Sequence, residues 1–127
     1  MAKKIDFKNK AFLKLKREST EIAINVVGDM LIENEQVLAS FSSVRDRVIF
    51  TNGRIISVNV QGLTGSKKDF VSIPYSRIQM YSVETAGTID LDSEFTIWIS
   101  GMGEFKFEFT GSTDVVGLSK MISRYIM

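Results

Sequence analysis

Apolar and polar residues alternate most regularly between positions 94 and 110, in two runs separated by a turn at Gly101 to Gly103. One face of each run is apolar: Phe95, Ile97 and Ile99 in the first run, and Phe105, Phe107 and Phe109 in the second. A period of two on both sides of a glycine-containing turn is typical of a β-hairpin that buries one face. We therefore predict a hairpin here, with these six side chains in the core.

Between positions 36 and 85, runs rich in Val, Ile and Phe are broken by Asp, Asn and Gly, which favours five more strands. Asn52-Gly53 is a strong signal for a two-residue hairpin turn. Pro74 ends a strand because it cannot donate a ladder hydrogen bond. The predicted strands lie near 36–44, 47–52, 54–61, 70–73 and 76–85. With the hairpin they make seven antiparallel strands, which can bury one face as a barrel or as a sandwich.

Two other segments have helical periodicity. Residues 20–32 begin at two candidate caps, Ser19 and Thr20, and the following apolar residues recur at helical spacing: Ile22, Ala23, Val26, Val27, Met30 and Leu31. Residues 113–126 have the same pattern in Val115, Leu118, Ile122, Tyr125 and Ile126. We expect one amphipathic helix before the strands and one after them.

Three strings closely resemble the small stand-alone bacterial pleckstrin homology (PH) domain family: VRDRVIFTNGRII at 44–56, QGLTGSKKDFVSIPYSRI at 61–78 and SVETAGTIDLDSEFTIWISG at 82–101. The resemblance implies a mainly β fold, a PH-like barrel of seven antiparallel strands at about 36–110 capped by a C-terminal α-helix. This chain adds an N-terminal helix. The resemblance also implies a domain without an enzymatic site that assembles into a ring-shaped homo-oligomer and has no settled ligand.

The chain contains neither cysteine nor histidine. Disulfides and thiolate metal sites are therefore excluded, as is nucleophilic catalysis by Ser-His or Cys-His pairs. Asp90, Asp92 and Glu94 recur at every second position, but a calcium loop starting at Asp90 would need glycine at Phe95 and glutamate at Gly101. We therefore predict no enzymatic activity, no cofactor, no metal site and no small-molecule substrate.

Positive charge is concentrated at the start of the chain. Residues 1–17 carry seven basic side chains and one acidic one, whereas the rest carries nine basic and fourteen acidic side chains. We interpret residues 1–18 as a basic arm and residues 19–127 as the domain. The basic side chains of the arm are Lys3, Lys4, Lys8, Lys10, Lys14, Lys16 and Arg17. Apolar residues interleave with them, as in segments that lie on an anionic membrane surface. A solvated terminus is the commonest alternative, and binding to nucleic-acid phosphates is the least favoured.

Two further places in the predicted fold are candidates for contacts, one on a strand and one at a turn. Trp98 lies among polar residues of its predicted strand, and exposed large aromatic residues are enriched at interfaces. It is predicted either to contact another subunit or to pack against the N-terminal helix. Arg45 and Arg47 lie at the connection that binds phosphoinositides in eukaryotic PH domains, but a two-residue turn offers no loop to surround a polyphosphate, so a structural turn is favoured.

The sequence thus favours a non-enzymatic, PH-like interaction module whose partner is a second copy of itself. The alternative is a peripheral binder of anionic membrane lipid that uses the basic arm. Neither a signal peptide nor a membrane-spanning apolar run is recognisable. The expected location is the cytoplasm, with peripheral attachment to a membrane under the alternative.

Overall fold

The computed structural model describes residues 9–61 and 67–127, which form eight strands and two α-helices. In chain order these are β1 (Ala11–Glu18), α1 (Thr20–Val27), β2 (Val37–Ser42), β3 (Asp46–Thr51), β4 (Arg54–Gln61), β5 (Lys67–Pro74), β6 (Met80–Glu84), β7 (Ser93–Ile99), β8 (Gly103–Phe109) and α2 (Val115–Ile126). Short 3₁₀ turns follow α1 and β5, at Gly28–Met30 and Tyr75–Arg77. The mainly β class with a closing helix is confirmed, with eight strands in place of the predicted seven.

All eight strands belong to one sheet, in the order β5-β4-β3-β2-β1-β8-β7-β6. Neighbouring strands pair in the antiparallel orientation, except β1 and β8, which are parallel. The ends of the sheet are β5 and β6. Among the described residues, no strand pairs with the outer edge of either one. The sheet is therefore open between β5 and β6.

The hairpin predicted from the alternating pattern is confirmed as β7 and β8, which pair from Ser93 opposite Phe109 to Ile99 opposite Gly103. Gly101 and Gly103 in its turn have φ angles of 82° and 84°, in the left-handed region that favours glycine. Five of the six predicted core residues are at most 2% exposed: Phe95, Ile97, Phe105, Phe107 and Phe109. The sixth, Ile99, is partly buried and packs against this core. The alternation therefore located the centre of the main core.

The two helices cover different parts of the sheet. Val115, Leu118 and Ile122 of α2 join the main core, and the Asp114 carboxylate caps the helix by accepting the Gly117 N–H at 2.9 Å. This helix confirms the prediction for 113–126 to within two residues.

Helix α1 lies on the outer face of β2, β3 and β4. Its Ala23 and Val27 form a second apolar cluster with Ile49, Ile56 and Val58 of the sheet. The helix ends at Val27, five residues before the predicted end, because the chain tightens into a 3₁₀ turn at Gly28–Met30. Glycine favours such an early end since it is a poor helix former.

The largest difference from the prediction concerns residues 11–18. They were expected to belong to a basic arm outside the domain, but they form β1 in the middle of the sheet, between β2 and β8. The register of β1 shifts between Phe12 and Leu15, and Lys14 has a φ angle of 56°, which together mark a β-bulge. The extra residue places Phe12 and Leu15 in the core, both fully buried. Their spacing of three breaks the period of two from which strands are predicted. Lys3, Lys4 and Lys8 of the predicted arm lie outside the described residues.

Candidate interaction sites

Trp98 lies on the outer face of the sheet near its β6 end. It is half-buried and stands opposite Met80 of β6 and Glu104 of β8 in the strand register. Helix α1 packs on β2, β3 and β4, in the other half of the sheet. Met80 is 54% exposed, so the surface around Trp98 has an apolar component that the described residues leave uncovered. A subunit contact at Trp98 stays a prediction.

The two ends of the sheet differ in how well their edges are protected. Natural edge strands commonly carry lysine or proline, which discourage pairing with another chain. Strand β5 has Lys67, Lys68 and Pro74, whereas β6 contains neither residue type and has Glu84 as its one charged side chain. The β6 edge is therefore the less protected of the two.

A groove of about 640 Å³ opens between β1 and the turn that joins β2 to β3. The pairing of β1 with β2 stops at Lys16 opposite Ser42, and the bulged part of β1 pairs with β8 instead, so the two strands separate there. Basic and apolar side chains line this opening together: Leu13, Lys14, Lys16, Val44 and Arg45. Leu13 is 54% exposed and Val44 is fully exposed.

The described cations of the predicted arm have different environments. Lys14 and Lys16 line the groove. The Lys10 ammonium lies 5.1 Å from the centre of the Phe12 ring, and the Arg17 guanidinium lies 5.8 Å from that of Phe41. The four described members of the predicted set are therefore divided between a groove and two aromatic rings.

Lys14 is fixed at the bulge by acidic partners. Its backbone N–H donates to Glu108 at 3.2 Å, and its ammonium group donates to Asp92 at 2.7 Å. The hydrogen bond to Asp92, the charge of Asp92 and the charge of Glu108 raise the pKa of Lys14. Within the described residues Lys16 and Arg45 form no ion pair, so they are the groove cations that could meet an external anion.

Arg47 is bound within the fold, unlike Arg45. Its guanidinium donates to both carboxylate oxygens of Glu18, at 2.5 and 3.2 Å, and Ser40 donates to the same carboxylate at 2.6 Å. Burial opposes ionisation of Glu18, but the hydrogen bonds from Arg47 and Ser40 outweigh it and lower the pKa of Glu18. Of the two arginines singled out in the sequence, Arg45 alone is exposed in the groove.

A second arginine pair was not predicted from the sequence. The Arg54 Nε and Nη2 atoms each donate to Glu35 at 2.8 Å, and Nη2 also donates to the Met30 carbonyl at 2.9 Å. Glu35 accepts a further hydrogen bond from the Thr51 hydroxyl at 2.7 Å. The hydrogen bond from Arg54 is the main reason that the pKa of Glu35 falls to about 2. These contacts join the segment after α1 to the β3–β4 turn.

Tyr75 extends this arrangement into the core. Its hydroxyl donates to the Thr51 carbonyl at 2.7 Å, and burial raises the pKa of Tyr75. Its ring stacks on Tyr125 of α2 with centroids 6.4 Å apart. Nothing in the local sequence signals these pairs, because their members are 16 to 50 positions apart and follow no motif. The contacts of Arg54, Glu35 and Tyr75 are internal to the fold. The candidate interaction sites described above are therefore the groove and the β6 end.

An open β-sheet closed by a C-terminal helix is the architecture of PH-like domains, and comparison with known proteins agrees with this class. The family model described as "Bacterial PH domain" matches residues 6–126. The chain belongs to the bacterial PH domain family, as the resemblance of its three strings implied. Domains of this family are in general interaction modules rather than enzymes.

Solved structures and a sequence relative support this assignment. A protein from Shewanella loihica PV-4, described as a DUF1696 family protein with a pleckstrin-homology domain, superposes with a TM-score of 0.78 at 35% identity, covering 91% of this chain and 100% of the other. A pleckstrin homology domain from Shewanella amazonensis SB2B gives a TM-score of 0.63 at 40% identity, covering 84% and 87%. The Bacillus subtilis protein YjqA is 52% identical over 83 residues, which are 65% of this chain and 66% of YjqA.

Neither helix in the described ranges is long and apolar enough to cross a bilayer.

Proposed function

We propose that this chain is a non-enzymatic interaction module that assembles with copies of itself into a ring. The observation that carries the proposal is the unprotected β6 end of the open sheet. There, backbone groups of β6 that pair with no other described strand lie next to Met80 and Trp98, so hydrogen bonding and apolar contact are available at one place. A strand edge of this kind is a template for pairing with another chain, and a ring is the closed form of a head-to-tail contact.

We expect light scattering on the purified chain to give a mass several times the 14.3 kDa of one chain at micromolar concentration. Met80→Glu places a charge on the proposed contact and is expected to lower the mass toward that of a single chain. Val116→Glu is the matched control, because Val116 is 56% exposed on α2 and lies outside the proposed contact. A single-chain mass for the unmodified protein would refute self-assembly.

Tryptophan fluorescence tests the same contact directly, since Trp98 is the single tryptophan of the chain. If Trp98 lies in a subunit contact, acrylamide should quench its fluorescence more strongly as dilution separates the subunits. Quenching that is independent of concentration, in a protein whose mass falls on dilution, would exclude Trp98 from the contact.

A second candidate function is attachment to an anionic membrane surface, and the groove beside β1 favours it. Lys16 and Arg45 carry charges without a described ion-pair partner, and Leu13 and Val44 beside them are exposed apolar side chains. Cations next to exposed apolar residues are the combination that binds a charged membrane surface. A ring would repeat this weak site and increase its avidity.

Vesicle sedimentation tests this second function. The chain is expected to sediment with phosphatidylglycerol vesicles but not with phosphatidylcholine vesicles, and less at high salt because exposed charges are screened. One cation near such a surface contributes about 1 kcal/mol, so Lys16→Gln or Arg45→Gln should weaken binding about fivefold. Lys120→Gln on α2 is the control, because Lys120 is exposed and lies outside the groove. Equal loss with all three variants would argue against the groove.

A further inference from the structure

A narrow apolar cleft lies at the open side of the sheet, between β5 and the turn that joins β7 to β8. Its volume is about 200 Å³, below the roughly 300–1,000 Å³ of sites that enclose small ligands. Apart from Ser72 and Arg77 its lining is apolar: Val71, Ile73, Pro74, Ile99, Met102 and Phe105. The cleft is therefore suited to an apolar side chain rather than to a whole small molecule.

The loop between β6 and β7 presents such a side chain. Ile89 is 97% exposed, and Leu91 is 58% exposed. The loop is closed by a hydrogen bond from the Gly87 N–H to the Asp90 carbonyl at 2.7 Å, and the Asp90 carboxylate accepts the Asp92 N–H at 3.0 Å. Internal hydrogen bonds thus hold an isoleucine outward with a carboxylate next to it.

Ile89 cannot fill the cleft of its own chain. The loop precedes the first residue of β7, whereas the cleft includes Ile99, the last residue of that strand. Strand β7 has seven residues, so loop and cleft are about 20 Å apart along it. If Ile89 occupies such a cleft, it is therefore the cleft of a second copy.

We propose that the β6–β7 loop of one copy inserts Ile89 into the cleft of the next copy and places Asp90 beside Arg77. This inference rests on the proposed self-assembly and extends its contact from the β6 edge to the β6–β7 loop, which follows that strand directly. Asp90 and Arg77 have opposite charges, both are exposed, and neither forms an ion pair within the described part of the chain. Because loop and cleft are different surfaces, the contact is head-to-tail, the type that generates rings when its rotation closes.

Two variants each remove one side of this contact. Ile89→Asp changes the loop, and Met102→Asp puts a carboxylate into the cleft, where it repels Asp90. Met102 is 39% exposed, so the fold should accept the change. Both variants are expected to have the 14.3 kDa mass of one chain in light scattering at a concentration where the unmodified protein is assembled. Val116→Asp, at a similarly exposed site on α2, should keep the assembled mass.

Mixing the two variants is the decisive step. The Met102→Asp chain keeps an intact loop and the Ile89→Asp chain keeps an intact cleft, so an equimolar mixture should form a two-chain species and nothing larger. Recovery of this species also requires that both variants are folded. The inference is overturned if Ile89→Asp keeps the assembled mass, or if the mixture contains single chains alone. A single-chain unmodified protein overturns self-assembly and this contact together, whereas an assembled protein that is insensitive to Ile89→Asp overturns this contact alone.

Discussion

Arg54→Met is expected to lower the free energy of unfolding by about 3–5 kcal/mol, the usual effect of removing one partner from a buried ion pair. The Glu35 side chain is only 4% exposed, and the substitution leaves its carboxylate without the two hydrogen bonds from Arg54. It also leaves the Met30 carbonyl without its donor. Urea unfolding at neutral pH measures the loss.

The pH dependence of the free energy of unfolding tests the same prediction independently. The pKa of Glu35 is lowered from 4.5 to about 2 in the folded chain, so the ionised carboxylate stabilises the fold above the unfolded pKa. That stabilisation is lost as the pH falls from about 5 to 2. The difference in stability between the unmodified chain and Arg54→Met should therefore shrink over this range.

The control for Arg54 is a weak surface pair. The Lys106 ammonium lies 3.8 Å from Glu94, and both side chains are partly exposed. Pairs of this kind contribute about 1 kcal/mol or less, so Lys106→Ala should have a small effect. A similarly small effect of Arg54→Met, or a difference from the unmodified chain that does not change with pH, would mean that the pair does not hold the α1–β2 segment to the β3–β4 turn.

Local patterns were sufficient to predict most of the fold. The strand periods around Phe95 and Phe107 and the Asn52-Gly53 turn depend on neighbouring residues, so the sequence carries them directly. Strand β1 was not predictable in this way. Its apolar residues Phe12 and Leu15 share one face only because of the bulge at Lys14, and no local rule specifies a bulge there.

The candidate sites depend on contacts between distant parts of the chain, and this limits their prediction. The sequence indicates Lys14 and Lys16 as part of a basic segment, but the groove exists because β1 separates from β2 and leaves Arg45 beside them. The apolar cleft is likewise formed by β5 and the β7–β8 turn, which are about 30 positions apart. Charge and exposure could be predicted from composition, whereas the geometry of both sites could not.

Phe12→Ala is expected to lower the free energy of unfolding by about 3–5 kcal/mol, as for other large-to-small substitutions in a core. Phe12 is fully buried and stacks on Phe107 with ring centroids 5.1 Å apart, so the variant leaves a cavity beside the centre of the main core. Leu13→Ala is the matched control one residue away. Leu13 is 54% exposed, and its truncation should change stability by less than about 1 kcal/mol.

The same reasoning decides which deletion can test the basic segment. Removing residues 1–17 removes nearly all of β1 and leaves β2 and β8 without their shared neighbour, so we expect that chain to lose cooperative unfolding. Removing residues 1–8 keeps every described residue, including Asn9, whose side chain accepts the Glu104 N–H at 3.0 Å. Binding measured with this shorter deletion reports on Lys3, Lys4 and Lys8 separately from the groove. Equal effects of Phe12→Ala and Leu13→Ala, with a cooperative transition retained after the longer deletion, would show that β1 is not part of the folding unit.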